Sequence, residues 1–309
     1  MSVLGWVGLM VAGLAVALWA SRRTVFHASA VAAATKIPPF IVGVTLIAVG
    51  TDLPEIANSI IASVAGHGDL NVGASIGSTV TQATLVLGLL PLLAGPFVVG
   101  PRRVTSVGVV TVLALLGGAV LFSDGYISRT DAAVLIIAWI AGLAVVWRQL
   151  PPGAQPSLAV PTRNRRYHIV ATLIGLAGVG IGAAAAVRGF VEIAEVLAVP
   201  EYLLAFFVAS IGTSLPELIF DLTALRRGAR DLAVGDLMGS SLIDATLSVG
   251  IGPLIAPTVI TASLAVRGSI AAAGAIFLVV VILSVRARHD RWSGIALLGI
   301  YLAFYLVLL

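Results

Sequence analysis

Long apolar runs separated by short polar breaks cover almost the whole chain. Runs at about 3–20, 38–64, 70–95, 104–122, 130–148, 168–187, 200–225, 232–256, 263–285 and 292–309 each come close to or exceed the roughly 20 residues a helix needs to cross a bilayer. The pattern predicts an all-α membrane protein with about ten spanning helices and no separate catalytic domain. Composition agrees: 59% of the 309 residues are hydrophobic, 10% are charged and mean hydropathy is +1.10, whereas soluble domains carry about 25% charged residues. The first run has no basic residue before it and passes into Ser21-Arg22-Arg23 without a cleavage site. It reads as a retained span, not a signal peptide. Cysteine is absent, which excludes disulfides and thiolate metal sites.

A net charge of +4 and a pI near 10 would suit an anionic partner if the charges were clustered, but they follow topology. Alternating the loops between two sides places 15 of the 18 basic residues on one side, leaving Arg129, Arg188 and Arg267 on the other. By the positive-inside rule the crowded side is cytoplasmic and both termini lie outside. The expected location is therefore the plasma membrane, with lipid as a partner and no nucleic acid or protein partner. Trp6, Trp19, Trp139, Trp147 and Trp292 fall mostly near span ends and read as interface anchors. His27, His67, His168 and His289 fall in loops or at span ends and are given no role.

The stretch 151–166 is rich in Pro and Arg and reads as a cytoplasmic linker. It separates two halves, 1–150 and 167–309, of five spans each. An odd number of spans per half inverts the second half relative to the first. The halves also repeat: residues 41–90 and 203–252 align without gaps, matching Gly50 with Gly212, Thr51 with Thr213, Pro54 with Pro216, Glu55 with Glu217, Gly66 with Gly228, Asp69 with Asp231 and Ser78 with Ser240. Shared apolar composition would match Leu, Val and Ala; these matches are Gly, Pro, hydroxyl and acidic residues. Inverted repeats with interrupted helices in corresponding positions mark a secondary transporter whose site lies at the midplane.

Each repeat holds a break inside an apolar run, Gly50-Thr51-Asp52-Leu53-Pro54-Glu55 and Gly212-Thr213-Ser214-Leu215-Pro216-Glu217, so helices 2 and 7 are expected to be broken. Glycine permits departure from helical dihedrals, and proline removes a backbone donor. Carbonyls of Ala48 and Ser210 are then expected to be free to coordinate an ion, with Glu55 and Glu217 projecting into the gap. Of 14 acidic residues, Asp52, Glu55, Glu217, Asp221, Asp236 and Asp244 fall at membrane depth, with no Lys or Arg beside them. Carboxylates in that setting must bind protons or cations. Oxygen-only ligands suit Ca²⁺, Na⁺ and Mg²⁺, while the lack of Cys and of intramembrane His argues against zinc and copper. Ser78 with Gln82, and Ser240 with Asp244, stand four apart and share a helix face. Gly73, Gly77, Gly88, Gly235, Gly239 and Gly250 would let helices approach closely. Asp52 is either a cap of the half-helix that follows or a ligand or proton carrier, Asp221 lines an access path or binds, and Asp236 reads as a cap of span eight.

The sequence G-T-S-L-P-E followed some twenty residues later by G-S-x-x-x-D closely resembles the alpha repeats of the cation/calcium exchanger superfamily, and the chain looks like a prokaryotic sodium/calcium exchanger. The resemblance covers both repeats and nearly the whole chain. It implies that Glu55 and Glu217 bind Ca²⁺ in competition with Na⁺, with Thr51, Thr213, Ser214, Ser78, Ser240 and Asp244 around them. Two positions depart from the family pattern: Asp52 stands where Ser is usual, adding a negative charge, and Gln82 where Asn or Asp is usual, extending the reach of the amide. The expected activity is exchange of Ca²⁺ for Na⁺ by alternating access, with no cofactor beyond the transported ions. The alternatives are H⁺-coupled Ca²⁺ antiport, a passive cation channel and an intramembrane hydrolase.

Overall fold

Lipid offers no hydrogen-bond partners, so a backbone inside it must satisfy its own polar groups, and these apolar runs do so as helices. The computed structural model describes residues 3–35, 37–149, 164–196 and 214–308. Lys36, most of the 151–166 linker, and Ser210, Gly212 and Thr213, with the expected break in the seventh span, lie outside the described residues.

The helices are α1 (Val3–Thr35), α2 (Pro39–Thr51), α3 (Leu53–Val64), α4 (Gly68–Ala94), α5 (Pro101–Leu121), α6 (Arg129–Gln149), α7 (Arg165–Val196), α8 (Leu215–Arg226), α9 (Arg230–Ile255), α10 (Ala262–Arg286) and α11 (Arg291–Leu308). Seven are long and apolar enough to cross a membrane. The pair α2 and α3, bent by 47°, makes an eighth candidate. The first helix extends well beyond the expected end at residue 20. Arg22 and Arg23 interrupt the hydropathy but not the helix, because no breaker occurs before Pro38. Beyond them Val25, Ala28 and Ala32 are buried against Val42, Ile47, Phe220 and Leu232. His27 is accordingly helical and buried, not in a loop, and Trp139 packs against the core, not at an interface.

Structural landmarks recur at the spacing of the repeat. Gly66 and Gly228 both adopt positive φ, +78° and +77°. Four two-residue strands, β1 (Phe97–Val98), β2 (Tyr126–Ile127), β3 (Thr258–Val259) and β4 (Arg288–His289), form the antiparallel pairs β1–β4 and β2–β3. The repeat register carries β1 onto β3 and β2 onto β4, so it exchanges one pair for the other. The helices pair across the halves in the same way, α1 with α7 and α5 with α10. Two π-helical turns, Gln82–Val86 in α4 and Asp244–Ser248 in α9, also correspond. A third, Gly43–Ile47, lies in α2. Such turns add a residue to a helical turn and commonly occur at functional sites.

α2 packs directly against α9. A Cβ at Gly235 would overlap the Phe40 carbonyl oxygen, and one at Gly239 would lie 2.6 Å from the Val44 Cα. These backbones touch because neither glycine carries a side chain, as expected. Gly73 and Gly77 differ from that expectation: nothing lies within 4 Å of a Cβ at either, so they face open space. Gly235→Val is expected to force α2 from α9 and destabilise the protein by about 1–3 kcal/mol, read as a lower melting temperature in detergent. Gly73→Val should leave that temperature nearly unchanged.

Candidate ion-binding site

The break between α2 and α3 falls at Asp52, whose φ and ψ of −79° and 5° leave the helical region. Ser214 occupies the same place before α8 with −90° and 9°. In both, Leu-Pro-Glu follows, so the proline sits in the first helical turn, where a missing N–H costs no intrahelical bond. The glutamate is then set one turn into a helix that begins inside the protein. Gly50 contributes differently from the expectation. It stays in the helical segment Ala48–Thr51, and its missing side chain makes room for Leu176 of α7, which a Cβ at that position would overlap. The Ala48 carbonyl is not released either. It accepts the Asp52 N–H at 3.0 Å and lies 3.2 Å from the Thr51 hydroxyl.

Three carboxylates meet where α3 and α8 begin. Asp52, Glu55 and Glu217 are buried, and each offers an oxygen such that the three oxygens lie within 4.8 Å of one another. Two oxygens bound to one Ca²⁺ at about 2.4 Å can be at most about 4.8 Å apart, so all three spacings meet the limit that sharing one ion imposes. Without a cation, two ionised groups at that distance repel by about 3–4 kcal/mol at an effective dielectric of 20. No Lys or Arg forms an ion pair with Asp52 or Glu217 among the described residues.

The surrounding side chains are polar and closed to solvent. Gln82, at the start of its π turn, donates through Nε2 to Asp52 Oδ1 at 3.1 Å. Asp52 makes no side-chain capping bond, so its carboxylate is turned to the cluster and not to the helix end. The Thr51 hydroxyl lies 3.2 Å from Asp236 Oδ1 and 3.5 Å from Ser240 Oγ. Ser78, Ser214, Ser240 and Asp244 are buried. Both oxygens of Glu217, both of Asp244, Asp52 Oδ2 and Ser214 Oγ accept no hydrogen bond among the described residues. Buried oxygens left in that condition are costly, and a cation would satisfy them.

Asp236 corrects the sequence reading. It lies inside α9, which begins at Arg230, and is fully buried and bonded to Thr51. It is therefore not a cap. The signal is present in the sequence: Asp236, Ser240 and Asp244 recur every four residues on one helix face. Asp221, one turn after Glu217, is likewise fully buried and lies beside Asp236.

The family model for sodium/calcium exchanger proteins matches residues 5–148 and 167–309. This chain belongs to that family. It is therefore a cation/calcium antiporter, a secondary transporter and not an enzyme. Its relatives include CaxA of Alkalimonas amylolytica, 31% identical over 96% of both chains, and the sodium/calcium exchanger MaX1 of Methanosarcina acetivorans, 24% identical over 97% of both. A solved structure of the sodium-calcium exchanger NCX_Mj, soaked with 10 mM Na⁺ and zero Ca²⁺, superposes with a TM-score of 0.80. That structure is 27% identical and the match covers 98% of each chain.

Proposed function

We propose that this exchanger carries Ca²⁺ out of the cell against entry of Na⁺, alternating access around a midplane site centred on Asp52, Glu55 and Glu217. The observation that carries the reading is the meeting of these three buried carboxylates. Asp244, Thr51, Thr213, Ser214, Ser78, Ser240 and Gln82, with the Ser210 carbonyl, complete the ion sites in this reading. The architecture is ten spans in two inverted five-helix halves, 1–150 and 167–309, joined by a cytoplasmic linker. The exchange of strand pairs and the corresponding π turns support it. The arginine distribution supports a plasma-membrane orientation with both termini outside.

Exchange follows from charge. A cluster of carboxylates is stable when it holds one divalent ion or several monovalent ions, and poorly stable when empty. The bundle then changes between outward-open and inward-open states only when loaded, which couples the two fluxes.

Proteoliposomes loaded with Na⁺ and diluted into Na⁺-free buffer containing ⁴⁵Ca²⁺, at fixed pH with a protonophore present, should accumulate Ca²⁺. Uptake that disappears with the protonophore would show H⁺ coupling instead. Uptake that needs no counter-ion would show a channel.

A further inference from the structure

Away from the carboxylates, the arginine-rich face holds a groove of about 470 Å³ between α1, the start of α7 and the end of α8. Its cations are Arg22, Arg23 and Arg227, all exposed. Among the described residues the ion pairs are Arg103 with Asp231, Arg188 with Glu192 and Arg286 with Asp290, so no carboxylate neutralises the three groove arginines. The Arg23 guanidinium lies over the Trp19 ring, 5.1 Å from its centre. That contact orients the guanidinium and leaves its charge unneutralised.

Below the arginines, His27 faces the groove and its Nδ1 lies 2.9 Å from the Nδ1 of His168. This bond ties α1 to α7 directly under the cationic rim. Trp19 is 62% exposed and Tyr167 56% exposed, as expected of amphipathic rings where hydrocarbon gives way to headgroups. Immediately towards the membrane on α1, Val16 and Leu18 are also exposed, forming an apolar flank beside the charged groove. Three unpaired guanidiniums suit a phosphate, since the planar fork matches its oxygens and is weakly hydrated. The apolar flank and aromatic rim suit acyl chains that a free phosphate lacks.

We propose that this groove binds the phosphodiester headgroup of an anionic phospholipid, which bridges α1, α7 and α8 at the arginine-rich face. A basic pocket between helices on the side rich in positive charge is the physical form such sites take.

Native mass spectrometry of the full-length protein with equal amounts of phosphatidylglycerol and phosphatidylcholine of the same chains tests it. The unaltered protein should retain phosphatidylglycerol preferentially, and the R22Q/R23Q/R227Q variant should lose that preference by about tenfold or more. The R102Q/R288Q/R291Q variant removes equal charge from the same face elsewhere and should keep the preference. Retention by the groove variant, or equal loss in both variants, overturns the site. Displacement of the lipid by millimolar inorganic phosphate overturns its lipid specificity. Should the groove variant fail to fold, the melting temperature of the unaltered protein decides. A rise with phosphatidylglycerol but not with phosphatidylcholine or inorganic phosphate supports the proposal, and an equal response to all three overturns it.

Discussion

Glu55→Gln, and separately Glu217→Gln, is expected to lower Na⁺-dependent Ca²⁺ uptake by at least about 100-fold with the protein still folded. The substitution keeps the shape of the side chain and removes one charge from a buried cluster whose oxygens lie within 4.8 Å of one another. A charge-assisted ligand replaced by a neutral amide costs about 3 kcal/mol or more, equivalent to about 100-fold in affinity. The apo protein should be no less stable, because removing one of three mutually repelling carboxylates relieves repulsion that a bound cation offsets in the loaded protein. Ca²⁺ uptake in proteoliposomes and melting temperature without Ca²⁺ should therefore move in different directions. Normal uptake by either variant would remove the central assignment.

The different success of sequence reading at different positions has physical reasons. Helix existence is legible because lipid enforces it: an apolar run of about 20 residues has few stable forms other than a spanning helix. Helix ends are less legible where protein continues beyond lipid. α1 runs to Thr35 because Ala28, Ala30 and Ala32 are buried against other helices, and hydropathy does not encode that contact. The first of the paired breaks is legible because Pro54 removes a backbone donor at a fixed position, and Pro216 does the same at the start of α8. How the backbone uses each break is not. The π turns at Gly43, Gln82 and Asp244 involve no rare residue type, so no local rule announces them.

The same distinction applies to the candidate site. Glu55 and Glu217 stand out because a symmetric pair of acids at membrane depth is rare and expensive. The Ala48 carbonyl, expected to be free, is not, because the helix continues through it for one more turn and the Asp52 N–H takes that oxygen. Asp236 is placed at membrane depth by the sequence, but its role is not legible, because a cap and a network residue near the start of a span differ only in what packs against them. α9 enters the protein, not lipid, within its first turns: Leu232 to Ile243 are all buried. Its Asp at that depth therefore sits in the polar network around Thr51, in place of the loop-proximal cap that the sequence suggests.

Asp52 provides the second large expected effect. It is the member of the carboxylate cluster that the repeat does not duplicate, since Ser214 occupies the corresponding position with nearly the same backbone angles. Asp52→Ser should therefore fold without difficulty, the second half already carrying serine in that conformation. Its consequence for binding should be large: the cluster falls from three carboxylates to two, and Gln82 Nε2 loses its acceptor 3.1 Å away. Each unit of charge lost this close to a cation is worth at least about 1.4 kcal/mol even with strong screening, or about tenfold in affinity. A Ca²⁺-dependent thermal-shift isotherm should show the apparent Kd raised by that factor or more. Asp52→Asn keeps the side-chain shape and separates charge from geometry: a similar loss in both variants assigns the effect to the carboxylate charge. An unchanged Kd in both would remove Asp52 from the Ca²⁺ site, and Glu55 and Glu217 would then hold the ion without its charge.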